Sequence, residues 1–172
     1  MPALAPSITV PTLASGLELE RPSDAVAIEA MVLASFGPGR FAKTAERLRE
    51  AAAMVAGFVA REGGNDGARL TGSVRLWSIA IGGTPGLFLG PIIVDPDSRK
   101  SGLGADLVAA CIAHAKAIGT GGILLVGDHA YFQRFGFEVA ADVRLPGPAD
   151  PRRVLWLPVT VETVSGMVRA VT

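Results

Sequence analysis

Cysteine occurs once, at Cys111, so an intrachain disulfide is impossible, and a lone thiol suits a reducing cytoplasm. With two histidines, His114 and His129, the chain is also short of ligands for a typical zinc site, and no metal is expected. Net charge is missing too, because sixteen basic residues balance sixteen acidic ones. A nucleic-acid partner, which calls for a basic stripe to neutralise phosphates, is therefore not expected. No uncharged run approaches the roughly 20 apolar residues of a membrane helix, and no membrane partner is expected. Residues 1–16 carry no charge and lack the basic start of a signal peptide. Pro2, Pro6 and Pro11 interrupt any apolar stretch there, and the segment reads as a flexible N-terminal tail.

What is present suffices for one domain. Hydrophobic residues make up 49% of 172, enough to bury a sizeable core but too short a chain for two comfortable ones. Leu17 to Glu20 alternates as a short strand, and Arg21 to Asp24 reads as a turn whose Ser and Asp side chains cap a helix. Ile28, Met31 and Val32 give that helix its buried stripe, and the run Ser35 to Phe41 breaks it. A second helix over about Ala42 to Ala53 sets Ala45, Leu48 and Ala52 on one side and charges on the other. Strand-like runs follow at Met54 to Arg61, Leu70 to Ile81 and Leu87 to Val94. Their connections, Gly63 to Gly67 and Gly82 to Gly86, are rich in residues that accept turn conformations, so the strands should pair antiparallel as a meander.

The pattern then changes. A glycine-bearing loop leads into a helix over Leu103 to Ile118, and Ile123 to Val126 is a short, wholly apolar strand. Strand, helix and buried strand make a crossover unit, which should be right-handed and bring the last strand parallel to its predecessor. A short helix near Ala130 to Arg134 and strands near Phe137 to Ala141 and Val154 to Val159 complete the sheet around the loop Leu145 to Arg152. The fold class is α+β, with a mixed, mainly antiparallel sheet over residues 17–160 and a C-terminal tail over 161–172.

Two features point to a ligand. Pro91 has no amide hydrogen for a neighbouring strand, so its strand should part from a partner near mid-length and leave backbone groups exposed. Gly102 and Gly104 remove side chains where the chain turns into a helix, letting amide hydrogens converge with the positive end of the helix dipole. Arg99 and Lys100 add charge suited to a pyrophosphate. A dinucleotide fingerprint is excluded, because Leu107 stands where a third small residue belongs and a Rossmann unit would not begin with a meander. The chain also has no Gly-Lys pair for a Walker loop and no Gly-x-Ser-x-Gly elbow.

The run Gly90 to Gly104 resembles the motif of the GNAT superfamily of N-acetyltransferases, in which Arg or Gln, two variable residues, Gly, one variable residue and Gly or Ala follow a splayed strand. Gly127 to Phe137 and Phe36 to Phe41 resemble a bacterial subgroup of these enzymes, and the likeness runs from about 17 to 160. The resemblance implies a splayed central strand with flanking helices, and acetyl-CoA lying as co-substrate between that strand and Ile123 to Val126. Its pantetheine would pair with Ile92, Ile93 and Val94. Its pyrophosphate would sit on Arg99, Lys100, Ser101, Gly102, Leu103, Gly104 and Ala105. A primary amine of a small molecule, a peptide N-terminus or a lysine would attack directly in a ternary complex, with the oxyanion held by an amide near Ile92 or Ile93. Dimers are frequent in the superfamily, so a homodimer is possible.

Proton transfer is where the match thins. The run Leu87 to Val94 has no carboxylate to act as base, and Asp128 is the nearest candidate, although it equally suits a helix N-cap. The usual acid, a Tyr four residues before the Gly of a Gly-Phe pair, falls on Phe132. Tyr131, the chain's one tyrosine, stands beside it, about 100° away on a helix. His129 reads as a solvated turn residue, and Cys111 and His114 as parts of an apolar stripe, His114 with a hydrogen bond. Trp77 and Trp156 should pack in the sheet. Arg40 and the loop Leu145 to Arg152 would flank the acceptor pocket, where Arg144, Arg152 and Arg153 suit either solvent or an acidic acceptor. The lost proton-transfer groups also suit a second class, a non-catalytic acyl-CoA-binding or regulatory module.

Overall fold

Alternation of apolar side chains decides which face of each strand is buried, and the two faces gather two different sets of helices. The structure is a computed structural model that describes Leu13 and residues 16–63 and 68–172, with Arg99, Lys100 and Ser101 described in their backbone alone. Apart from Leu13 and Gly16, the expected flexible tail over 1–16 lies outside the described residues, as does most of the turn Gly63 to Gly67, and Leu13 packs against the core.

The described chain runs β1 (Leu17–Leu19), α1 (Ala25–Phe36), α2 (Thr44–Ala51), β2 (Met54–Glu62), β3 (Arg69–Ile81) and β4 (Thr84–Val94), then α3 (Leu103–Ile118) and β5 (Gly122–Val126). It continues through α4 (His129–Phe132), β6 (Glu138–Val139), β7 (Val143–Arg144), β8 (Val154–Pro158) and β9 (Gly166–Ala170). Strands β1 to β4 pair antiparallel in sequence order. After α3 crosses over, β5 lies parallel to β4, and β8 and β6 extend the sheet antiparallel beyond it. The expected mixed, mainly antiparallel sheet is therefore the architecture found.

Leu87, Leu89, Ile123 and Leu125 point to the face covered by α3 and α4, where they meet Leu107, Cys111 and Phe132. Their neighbours Phe88 and Leu124 point to the opposite face and meet Leu48 of α2. Helix α1 lays Ile28 and Val32 on Val59 and Ile93 on that same side. The period of two thus sorts one strand into two cores. Helix α3 stops where expected, at Gly119, whose φ of 68° lets its amide turn back to the Ala115 carbonyl.

The domain does not end at residue 160. Strand β9 pairs with Ile79 to Ile81 of β3 and with β7, and Val168 is 1% exposed. The physical reason lies in β2, whose pairing with β3 reaches only to Met54 opposite Trp77. The edge of β3 beyond Trp77 is left with unpaired backbone groups, and β9 satisfies them. Asp24 also departs from expectation. Rather than cap α1, its carboxylate takes both guanidinium arms of Arg61, at 2.8 and 2.6 Å, which hold its carboxyl below the ordinary range.

Candidate functional site

Strands β4 and β5 are paired at only two positions, Leu87 with Ile123 and Phe88 with Leu124, and then diverge. Just past that point β4 bulges. Val74 pairs with Ile92 and Leu76 with Leu89, so Gly90 and Pro91 together occupy the span opposite Arg75. Gly90 has φ 138°, a backbone state for glycine, and its carbonyl accepts from Trp77 Nε1 at 2.6 Å. Pro91 falls where the sequence placed a parting of strands, at a position that needs no donor. Beyond the bulge, the Asp95 amide donates to the Thr71 carbonyl at 2.8 Å. Alternation then turns Ile93 toward β3, and the backbone of Ile92 and Val94 toward the open cleft. The side chains of Ile92 and Val94 pack on the α3 side, whereas Ile93 is buried beneath α1.

The cleft leads to the start of α3. Residues Pro96–Ser101 form a short 3-10 turn begun by the Asp95 side chain, which accepts from the Asp97 amide. Gly102 follows in the left-handed region with φ 76°, a conformation that costs other residues free energy. The helix ladder opens with the Asp106 amide on the Gly102 carbonyl, so Leu103, Gly104 and Ala105 carry the amides of a helix N-terminus. A Cβ on Gly104 would stand 3.3 Å from the Tyr131 hydroxyl and 3.7 Å from Val94 Cγ2. Bare Gly104 therefore lets the start of α3 lie close against β4 and α4. The helix N-terminus and the strand edge beside it suit an extended ligand with a phosphate group.

The side chains expected to move protons are placed apart. Asp128 accepts from the Ala130 amide at 3.1 Å and caps α4. His129 meets Glu138 at 3.1 Å in solvent. Tyr131 lies edge-on to Phe132 and Phe135 and reaches Gly104, whereas Phe132 is the member of the pair on the wall of the cavity between the parted strands. Cys111 is wholly buried, and burial pushes its thiol far up from its ordinary value. His114 Nε2 has no hydrogen-bond partner among the described residues, contrary to expectation, and burial lowers its pKa. The ring instead stands edge-on to Phe58, which suits its neutral form. Trp77 and Trp156 do pack in the sheet, and Trp156 Nε1 donates to the Val161 carbonyl.

The cavity between the parted strands, about 640 Å³, extends to the α2 side, where it is walled by the segment after α1, by α2, by the bulge and by the loop before β8. The Thr44 hydroxyl draws that loop in by donating to the Pro148 carbonyl at 2.7 Å. A Cβ on Gly147 would come within 2.6 Å of the same hydroxyl, so the approach needs glycine there. Sequence reading placed the charges of α2 in solvent. Instead Glu46 is 8% exposed and bridges Arg40 at 2.9 Å and Arg49 at 3.0 Å, while Arg40 also holds Glu29 at 2.7 Å. Arg49 extends over Phe88, its guanidinium carbon 5.8 Å from the ring centre, and approaches the bulge at Gly90. The Glu46–Arg49 spacing of three, beside buried Leu48, was the one signal that could have suggested this. Arg153 is on the cavity wall, whereas Arg144 bonds nearby carbonyls and Arg152 pairs with Asp150.

Comparison with known proteins adds the following. A family model described as acetyltransferase (GNAT) family matches residues 26–137. The uncharacterized N-acetyltransferase YhbS of Escherichia coli K12 is 32% identical over 136 residues, 77% of this chain and 80% of that protein. A crystal structure of E. coli YhbS in complex with CoA matches with TM-score 0.77 and 28% identity, covering 94% of this chain and 92% of that one. A GNAT family acetyltransferase from Brucella melitensis in complex with acetyl-CoA matches with TM-score 0.69 and 25% identity, over 91% and 95%. Among the described residues no cluster suited to a metal ion occurs, and no helix is long and apolar enough to cross a membrane.

Proposed function

The chain belongs to the acetyltransferase (GNAT) family and is an acetyl-CoA-dependent N-acetyltransferase, and from that premise we propose that its acceptor is a primary amine, acetylated by direct attack in a ternary complex. The observation that carries this reading is the parted strand β4 handing over to the glycine-opened start of α3. Acetyl-CoA supplies an activated thioester. The protein's part is to hold it and to manage charge.

In this reading the amides of Gly102, Leu103, Gly104 and Ala105 grip the diphosphate, with Arg99, Lys100 and Ser101 adjoining on the preceding turn. The edge of β4 at Ile92 to Val94 pairs with the pantetheine as an added strand would. The Ile92 amide, turned to the cleft, donates to the thioester oxygen as charge develops there, a role that the β3-facing Ile93 is less suited to fill. Cys111, buried and with a raised pKa, takes no part, which favours direct attack over a covalent acyl-enzyme.

Proton traffic follows from what lines the cavity. Asp128 caps α4, and Asp150 caps the turn before β8 while paired with Arg152, so neither carboxylate is assigned as base and the amine is taken in its neutral form. The Arg152 side chain holds the Asp150 carboxyl below its ordinary range, which makes it a weak proton acceptor. With Phe132 on the wall, no hydroxyl of α4 faces the sulfur, and a thiol of ordinary pKa near 8.5 leaves without one. Tyr131 serves instead beside Gly104, toward the body of the coenzyme. A cytoplasmic location, where acetyl-CoA is made and the lone thiol stays reduced, accompanies the reading.

A thiol-release assay over a panel of amines, with calorimetry of acetyl-CoA, tests it. The expected result is coenzyme binding and amine-dependent release of CoA. Binding without turnover of any amine would favour the binding-only alternative, and absence of binding would remove the reading altogether.

A further inference from the structure

The cavity beside the bulge has an uneven charge. Its walls present four cationic side chains, Arg40, Lys43, Arg49 and Arg153, against one carboxylate, Asp150. Behind the wall, Glu46 and Glu29 offset Arg40 and Arg49, and Asp150 is engaged by Arg152. Lys43 and Arg153 are exposed and make no ion pair among the described residues. The Nε donors of Arg40 and Arg49 are buried with no hydrogen-bond partner among the described residues, although Arg40 is only 6% exposed. Buried donors of this kind are normally satisfied, and an unsatisfied one at a cavity wall marks a place where an acceptor oxygen is missing. Burial also pushes the pKa of Arg49 down, a cost that an anion beside it would relieve.

Resting on the transferase reading above, we propose that the amine acceptor is a small molecule bearing an anionic group, a carboxylate or a phosphate, held by Arg49 with Lys43 and Arg153. Arg49 reaches the bulge where β4 and β5 part, so an anion on it lies one short linker from the reacting end of the cleft. The planar guanidinium, its carbon 5.8 Å over the Phe88 ring centre, has the fork that recognises such oxygens. The volume of about 640 Å³ is that of a small-molecule pocket, and the Thr44–Pro148 bond fixes one of its walls. A polyamine would meet like charge on three sides.

The test uses matched pairs of primary amines, an amino acid with its amide and an aminoalkyl phosphate with its amino alcohol, in the thiol-release assay. At least one anionic member should exceed its neutral twin about tenfold in kcat/KM, as a charge-assisted pair of hydrogen bonds would give. The carboxylate and phosphate arms show which anion is read. In the double variant Lys43→Gln/Arg153→Gln, whose sites are exposed and whose folding is checked by Tm, the preference should fall to within about twofold. A wild-type ratio within twofold in every pair, or a preference undiminished in the double variant, would overturn the proposal. Calorimetry of the N-acetylated pairs against CoA-saturated protein reads the same preference without turnover, and equal or undetectable affinity for both members would overturn it as well. Failure of acetyl-CoA to bind would strike the transferase reading, whereas turnover of neutral amines with no anion preference would strike this proposal alone.

Discussion

The two sides of β4 are built on different principles. Toward α3 the site consists of backbone: a bulge, a strand edge and the first amides of a helix, with glycine as the enabling residue at Gly90, Gly102 and Gly104. Toward α2 it consists of side chains, with Glu46 and Arg49 of that helix held to Arg40 of the preceding turn, which also binds Glu29 of α1. Backbone recognition depends on local conformation and tolerates many sequences, which suits a ligand shared by a whole family. Side-chain recognition depends on long-range packing, which suits a ligand that differs from one member to the next.

If the comparison is right, damage to one side should leave the other intact. The largest effect is expected from Gly104→Asp, which sets bulk and negative charge at the start of α3 against Tyr131 and Val94. Calorimetry should show acetyl-CoA affinity down roughly a thousandfold, worth about 4 kcal/mol, with Tm little changed. Glu46→Gln should act in reverse. Removing the shared partner of two buried arginines should cost about 3 kcal/mol in urea unfolding and raise the acceptor KM, while coenzyme affinity stays as it was.

Smaller effects sharpen the division of labour. Tyr131→Phe should raise KM for acetyl-CoA about threefold with kcat nearly constant, and a large fall in kcat would return the tyrosine to an acid's role. The smallest concerns His114. Its pKa is lowered in the fold, so the unfolded chain binds the proton first as pH falls through about 6.5. Stability should therefore decline below that pH, and His114→Leu should flatten the decline between pH 7 and 5 in urea titrations.

The same contrast explains what could be read from the sequence. The parting of strands near Pro91, the helix Leu103–Ile118 and the sheet order through β5 followed from local rules about proline, glycine and apolar period. Strand β9 escaped because only Val168 of its five residues is buried, too short a pattern to register, and its partner is an edge of β3 that opens only in the folded sheet. The acceptor-side cluster escaped because Glu46 and Arg49 look like solvent-facing charges until the loop at Pro148 closes over them. Tyr131 and Phe132 were distinguishable only by helix phase, and phase is set by the cap at Asp128.

The most direct measurement is a crystal structure of the protein with CoA bound. The account predicts the diphosphate within hydrogen-bonding distance of the amides of Gly102 to Ala105, and the pantetheine chain running along Ile92 between the diverging strands. A coenzyme lodged elsewhere, with that turn vacant or filled by the protein's own side chains, would contradict it.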